Sequence, residues 1–487
     1  MVKNLKRVSG PNPDEYYNNV WKQLDAALSA IFKDEEVPYS KETLYNEVMI
    51  VCRQNRAPSL YKQLCEKCVQ DISTRVKESL LQDVDQITDV GISSAVIDAW
   101  TEWTTHLEVI RSIFFFLDRS YLLHAALPSI IEMGTDQFRT HIFSDPTIKP
   151  RLLSGACDLA KDKRHGGHTK EDLLLKVVAM FHVLGVYSQL FEPKFLSESQ
   201  RFYNSWAQQT VASTSLADYV SMCDKFFGQE MQRSDEWGLD PTTKKELEMY
   251  LEEILIMGQE KRLLDVDDVG TLLSMDKPDT LHQLFCLVQR RRLGGKLKPA
   301  FEAYIVKQGS DIVFDEAREQ EMVARLLEFK KKLGQILEYS FERHEGLGHG
   351  LREAFENFIN KSKRSNMTWG TDNPKPGEMI AKYVDMVLKG GAKAVKTSGA
   401  PSVDVAKPIE DQDASSEDED VEITKQLDQV LDLFRFVHGK AVFEAFYKRD
   451  LARRLLLGRS ASSDAEKSML TRLKSGRYRY KTFPVQC

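Results

Sequence analysis

This 487-residue sequence lacks long apolar runs, turn dipeptides and catalytic signatures. No apolar run approaches the ~18 residues of a membrane span, and the opening MVKNLKRVSGPNPDEYY has no apolar core of a secretory signal. Cysteine is scarce, and the seven present form an odd set without regular spacing, the pattern of a reducing compartment rather than of a disulfide framework. Neither sign of charge dominates. The formal net charge is −6, and the fourteen residues from Ile409 to Glu422 hold eight acids and no base, which leaves the rest at +2. A basic, phosphate-seeking surface is therefore not indicated, and direct binding of nucleic acid is not expected. These absences point to a soluble protein of the nucleus and cytoplasm with no membrane partner.

Strand signals are equally thin, because there is no Asn-Gly or Asp-Gly dipeptide and no sustained two-residue alternation bounded by turns. What is present is helical periodicity. Val20, Leu24, Ala27, Leu28 and Ile31 form one stripe, and Met322, Leu326, Phe329, Leu333, Ile336 and Leu337 form another on an otherwise charged segment. Pro38, Pro58, Pro128, Pro146, Pro150 and Pro241 fall where they can open or stop helices. At roughly 150 residues per domain the length suggests about three units. Long helices with short connectors over such a length need neighbours along an array, so the spacing predicts an all-α, elongated helical-repeat stalk. No sequence word repeats at a fixed period. The segment 389–422, rich in Gly, Ala, Ser, Pro and acid, reads as a disordered acidic linker, with Ser415 and Ser416 beside an acidic run.

Chemistry is hard to find. There is no G-x-x-x-x-G-K-[ST] loop, no G-x-S-x-G elbow and no H-E-x-x-H. HEGLGHGL, with Gly346, Gly348 and Gly350, reads as a loop between helices. Cys65 and Cys68 form a single C-x-x-C inside a helical stretch, so buried thiols are expected rather than zinc ligands. His165 and His168 flank a Gly-Gly turn, and Arg290, Arg291, Arg292, Lys296 and Lys298 read as a solvated helix end without interleaved aromatics. No catalytic residue, metal ligand or cofactor is expected.

Two helices are apolar over more width than docking requires. In Tyr39–Asn55, opened by Ser40 with Glu42 and Thr43 in the first turn, Leu44, Val48 and Val51 form one stripe. Tyr45, Met49 and Cys52 form a second stripe of the same spacing beside it. In Leu127–Phe143, Ile130, Met133, Gln137 and His141 lie on one side and Ile131, Phe138 and Ile142 on another. Such doubled stripes are either deeply buried or leave an apolar strip for a partner.

From Leu433 to Lys474 the chain reads LFRFVHGKAVFEAFYKRDLARRLLLGRSASSDAEKSMLTRLK, which resembles the segment opening the C-terminal domain of cullins. VIRSIFFFLDRSYLL at 109–123, LPSIIEMGTDQFRTHIFSD at 127–145 and LYKQLCEKC at 60–68 resemble the type-four branch. The resemblance implies a noncatalytic scaffold of a ubiquitin ligase, built of three five-helix repeats and the start of a C-terminal helical domain. Laid on this chain it gives an N-terminal arm at 1–15, repeats at 16–150, 151–265 and 266–388, the acidic linker at 389–422, the C-terminal start at 423–474 and a divergent tail at 475–487. In type-four cullins the second and fifth helices of the first repeat, with the arm, grip a β-propeller adaptor, the damage-specific DNA-binding protein, which carries WD40 substrate receptors. The implied adaptor-binding residues are Leu44, Tyr45, Val48, Met49, Ile130, Met133, Gln137 and His141.

After Lys474 the pattern of the family would continue toward the sites for the RING-box protein and for the ubiquitin-like modifier, whereas this chain reads SGRYRYKTFPVQC. The expectation is an adaptor-binding stalk without its RING-box site, either a decoy or a fragment. Its remnant stripe of Val430, Leu433, Val437 and Phe443 would be partly exposed and prone to aggregate. A competing class, the helical-rod tether of vesicle docking, has no reason to carry the segment at 433–474.

Overall fold

The computed structural model describes residues 13–82, 86–167, 172–365, 368–370, 373–390, 416–460 and 463–476. Contacts divide the chain into two units, one of residues 1–209 with 226–251 and one of residues 210–225 with 252–487. The arm at 1–12, the linker residues 391–415 with Ser415, His168, and the tail at 477–487 lie outside the described residues.

The helices of the first unit begin with α1 (Pro13–Phe32), α2 (Lys41–Arg53), α3 (Ala57–Asp71), α4 (Lys77–Gln82) and α5 (Asp89–Ile113). They continue with the short α6 (Phe115–Leu117), α7 (Ile130–Phe138), α8 (Ile148–Arg164) and α9 (Leu173–Val183), while α10 (Glu192–Ser213), α11 (Leu216–Glu236) and α12 (Pro241–Leu255) each have residues in both units. The prolines act as anticipated. Pro58 and Pro241 sit in the first turns of α3 and α12, where a missing N–H costs nothing. The stripe on α1 is buried from Val20 to Ile31, and α5 is the post against which α1, α2, α7, α8 and α9 pack. Trp103 of α5 is buried, stacks on Phe32 at 6.0 Å and donates from Nε1 to the Gly134 carbonyl of α7 at 3.0 Å.

The crossing of α8 over α5 depends on a missing side chain. A Cβ at Gly155 would stand 2.2 Å from the Asp89 carbonyl oxygen and 2.4 Å from Ser93 Oγ. The obstacle is backbone, so it cannot swing aside. Gly155→Ala is expected to lower stability by about 1–3 kcal/mol through overpacking, read from the urea midpoint. A change within about 0.5 kcal/mol, the range of an innocuous surface substitution, would show that the two helices have slack.

One charged cluster in this unit was not anticipated. Arg164, at the end of α8, is buried against Glu230 of α11 at 2.9 Å and also donates to Ser199 and Tyr203. Its guanidinium lies within 5.1–5.6 Å of the ring centroids of Phe195, Phe202, Tyr203 and Trp237.

The second unit contains α13 (Glu260–Leu263), α14 (Val266–Ser274), α15 (Pro278–Gln289), α16 (Lys298–Val313), α17 (Met322–Gln335) and α18 (Glu345–Asn360). A two-stranded antiparallel hairpin follows, β1 (Ser362–Ser365) with β2 (Thr368–Gly370), Ser362 opposite Gly370. Then come α19 (Lys375–Gly390), α20 (Ser416–Phe434), α21 (Lys440–Leu457) and α22 (Ser463–Gly476). On α17, Met322, Leu326 and Leu333 are fully buried, while Phe329 and Leu337 are half-buried.

Three expectations are corrected here. Gly346, Gly348 and Gly350 lie in the first turns of α18 rather than in a loop; at Gly350 a Cβ would come within 3.1 Å of Lys298 and Glu302 on α16, so the glycine admits the close approach of these helices. The linker gives way to helix at Ser416, before the expected boundary at 422, with the acidic run in the opening turns, the end at which a helix favours acidic residues. Val430, Leu433, Val437 and Phe443 are buried, not exposed, because α20 and α21 pack on the apolar side of α19. The exposed apolar residues of this region are Leu455, Leu456 and Leu457 at the end of α21, with Leu456 at 86%.

Candidate partner-binding surface

Helix α2 starts where its sequence says, with the Ser40 hydroxyl accepting from the Thr43 N–H at 3.2 Å. Its first stripe faces the core. Leu44, Val48 and Val51 expose nothing, and Glu47 is held to α1 by the Tyr16 hydroxyl, so only the adjoining side is open. There Tyr45, Met49 and Cys52 are half-exposed, and Ile50 is exposed.

The other predicted helix is α7, extended by a wide turn from Arg139 to Phe143. Ser129 and Glu132 form a reciprocal capping box at its start. Ile130 exposes nothing and Met133 only 6%, since both pack inward. Gln137 donates from Nε2 to the Cys65 carbonyl of α3 at 3.3 Å, and His141 lies 3.4 Å from Ser73 Oγ. These two are half-exposed.

The eight residues implied by the resemblance therefore divide. Leu44, Val48, Ile130 and Met133 belong to the core and cannot meet a partner; this corrects the reading that placed them at an interface. Their burial follows from helical geometry, because a helix docked on α5 buries one stripe and leaves the next at its margin. Tyr45, Met49, Gln137 and His141 stand at that margin.

The sequence reading missed the neighbours that widen the strip. Phe115 is 39% exposed, and Leu123 and Leu127 are also exposed. Arg53 of α2 lies over the Phe116 ring at 5.9 Å, and Arg119 lies over Phe115 at 5.4 Å, which joins α2 to the α6 segment. The signal was available in SIFFFLDRSYLL. Consecutive residues on a helix point about 100° apart, so Phe114, Phe115 and Phe116 cannot all face one core. Phe114 is buried and Phe115 is not.

Among the described residues the thiols are not activated nucleophiles. Burial pushes Cys52 up to about 11, Cys157 and Cys223 up to about 12, and Cys68 higher still. Asp34 and His106 are hydrogen-bonded to each other at 2.9 Å, and the nearby Glu102 pairs with Arg75 at 2.5 Å, so the groups of that cluster have structural partners. The basic run is neutralised locally: Arg291 pairs with Glu252 and Glu253, Lys296 with Glu260, and Lys298 with Glu353. No single helix among the described residues is long and apolar enough to cross a membrane.

Helices stacked on α5 that present an amphipathic strip at their margin are the architecture of an α-solenoid. The family model described as the cullin alpha solenoid domain matches residues 21–477, and the chain belongs to the cullin family. It is 34% identical over 464 residues to human Cullin-4A and 35% identical over 465 residues to mouse Cullin-4A, in each case over 95% of this chain and 56% of the relative. It is 29% identical over 479 residues to Cullin-4 of Dictyostelium discoideum, over 98% of this chain and 55% of that protein. The chain thus spans somewhat more than half the length of these relatives. Its similarity to these three relatives lies with Cullin-4A and Cullin-4. The tether alternative is not favoured.

Proposed function

We propose that the chain is a noncatalytic scaffold of a cullin-RING ubiquitin ligase and that its first unit grips a β-propeller adaptor through the margin of α2 and the α6 segment. The observation that carries this reading is the second stripe of α2. Tyr45 and Met49 remain half-exposed, beside exposed Ile50, after the first stripe has satisfied the core. Aromatic, Met and Arg side chains are the types that anchor interfaces, and Tyr45, Met49, Phe115 and Arg119 supply them. Gln137 and His141 extend the same reading to α7.

Replacing Tyr45 and Met49 together by Ala is expected to weaken adaptor binding by about 1–4 kcal/mol if they are central anchors, with helical content unchanged. Titration calorimetry against the adaptor reads the first quantity and circular dichroism the second. Unaltered affinity would place the grip elsewhere, and a melted fold would return these residues to the core. A pull-down with this chain as bait, probed for both adaptor and RING-box protein, tests the wider reading. Adaptor retained supports the scaffold; adaptor absent overturns it; the RING-box signal separates a whole scaffold from an adaptor-occupying decoy.

A further inference from the structure

A second cluster of donors lies in the second unit, far in sequence from the strip. His282 and Cys286 are four residues apart on α15, hence on one face and one turn apart. Glu342 follows α17 and its terminal wide turn, Ile336–Ser340, which packs on α15. One imidazole nitrogen, the thiol sulfur and one carboxylate oxygen of these residues all lie within 4.8 Å of one another.

One edge of the cluster has the length a tetrahedral metal site requires. Cys286 Sγ stands 3.5 Å from His282 Nε2. In a tetrahedral zinc site with Zn–S of ~2.3 Å and Zn–N of ~2.0 Å, the S···N edge is about 3.5 Å. The donors also have little else to do. Among the described residues Cys286 is the only polar partner of the His282 ring nitrogens, and the Glu342 carboxylate enters no ion pair; the adjacent Arg343 turns to Glu338 instead. Cys286 is the one exposed cysteine among the described residues.

The backbone presents the carboxylate at a cost. Glu342 and Arg343 both have left-handed backbone, φ 49° and 56°, a conformation that non-glycine residues avoid. The turn is held by the Arg343 N–H donating to the Leu337 carbonyl at 2.8 Å and the His344 N–H donating to that of Phe341 at 2.8 Å.

We propose that His282, Cys286 and Glu342 form a binding site for a borderline-soft divalent cation, zinc foremost, which clips the turn after α17 to α15 and leaves a fourth position for water. One nitrogen, one sulfur and one oxygen donor select zinc over calcium or magnesium, which prefer oxygen alone. On binding, the Cys286 S–H bond breaks heterolytically, the proton passes to solvent and the sulfur–metal bond forms, with no change of oxidation state.

Cobalt(II) titration of the full chain, followed by absorption, tests the site. The expected result is a saturable one-to-one thiolate-to-cobalt charge-transfer band that zinc abolishes, with release of about one proton per metal near neutral pH. Cys286→Ser should remove the band. His282→Ala and Glu342→Gln should each weaken binding by about tenfold or more, since loss even of outer-shell partners costs 10–100-fold. Cys286 and Glu342 are exposed and His282 is partly exposed, and circular dichroism verifies that the fold of each variant is kept. Absence of the band at millimolar cobalt, or its persistence in Cys286→Ser, would overturn the proposal.

Discussion

Arg164→Ala is expected to be among the most damaging single substitutions in the first unit, lowering stability by about 3–5 kcal/mol, the cost of breaking a buried ion pair from one side. The reason is what it leaves behind. Glu230 exposes none of its surface and takes hydrogen bonds from Arg164 Nε at 3.0 Å, the Tyr203 hydroxyl at 2.7 Å and Arg233 at 2.7 Å. Without Arg164 the carboxylate keeps only the Tyr203 hydroxyl and Arg233, and Arg233 is partly open to water. Burial pushes Tyr203 well above its ordinary value, so it remains a donor throughout the accessible pH range. Glu230→Ala should cost about as much, because it strands a guanidinium among four aromatic rings. A double replacement, Arg164→Met with Glu230→Leu, should cost less than either single change, since it removes both desolvated charges at once. Urea unfolding of the three variants decides the matter. Additive losses in the double variant would show that the pair is not energetically coupled.

That cluster also marks where sequence reasoning stops. The helices were legible because periodicity is local: the stripes of α1 and α17, the Ser40 cap and the prolines at helix starts are all written within one or two turns. Nothing local connects Arg164 to Glu230, which are 66 residues apart, or predicts that a lysine- and arginine-rich helix end would turn one of its charges inward. The glycines of α18 were misread for the same reason, since a loop-like composition gives no sign of the neighbouring helix that requires small residues.

The candidate surface was legible in part. Counting apolar positions on α2 identified a strip too wide for one core contact, and that excess is real. Which of two identically spaced stripes faces inward is decided by α5, a helix more than thirty residues away in the chain. The resemblance to cullins supplied which helices to examine, but the burial of Leu44, Val48, Ile130 and Met133 shows that a helix-level correspondence does not assign faces. Phe115 and Leu123 could have been added from the sequence alone, because a run of three phenylalanines followed by a leucine-rich turn exceeds what one helical face can bury.

The segment that carried the resemblance, Leu433–Lys474, contains the second large expected effect. Arg454, within the string RDLARRLL, exposes nothing, and its guanidinium forks onto Glu466 of α22 at 2.7 and 3.2 Å and reaches Asp385 of α19. One residue thus ties three helices of the second unit together. Arg454→Ala should cost about 3–5 kcal/mol by leaving the buried Glu466 with only the Ser460 hydroxyl and Asp385 with only Lys389, while Glu466→Gln should cost less because Asp385 still compensates the guanidinium. Arg454→Lys should fall between, since an ammonium cannot make the two parallel bonds of the fork. The effect should be local. Hydrogen exchange is expected to accelerate in α21 and α22 in the order Lys, then Ala, because α22 reaches the rest of the unit through this buried pair, the buried Ala465 and Met469 and the more exposed Arg472–Asp428 pair. If exchange in α22 were unchanged by Arg454→Ala, its docking would rest on those two apolar side chains and on the Arg472–Asp428 pair with α20, and the buried ion pair would be a passenger.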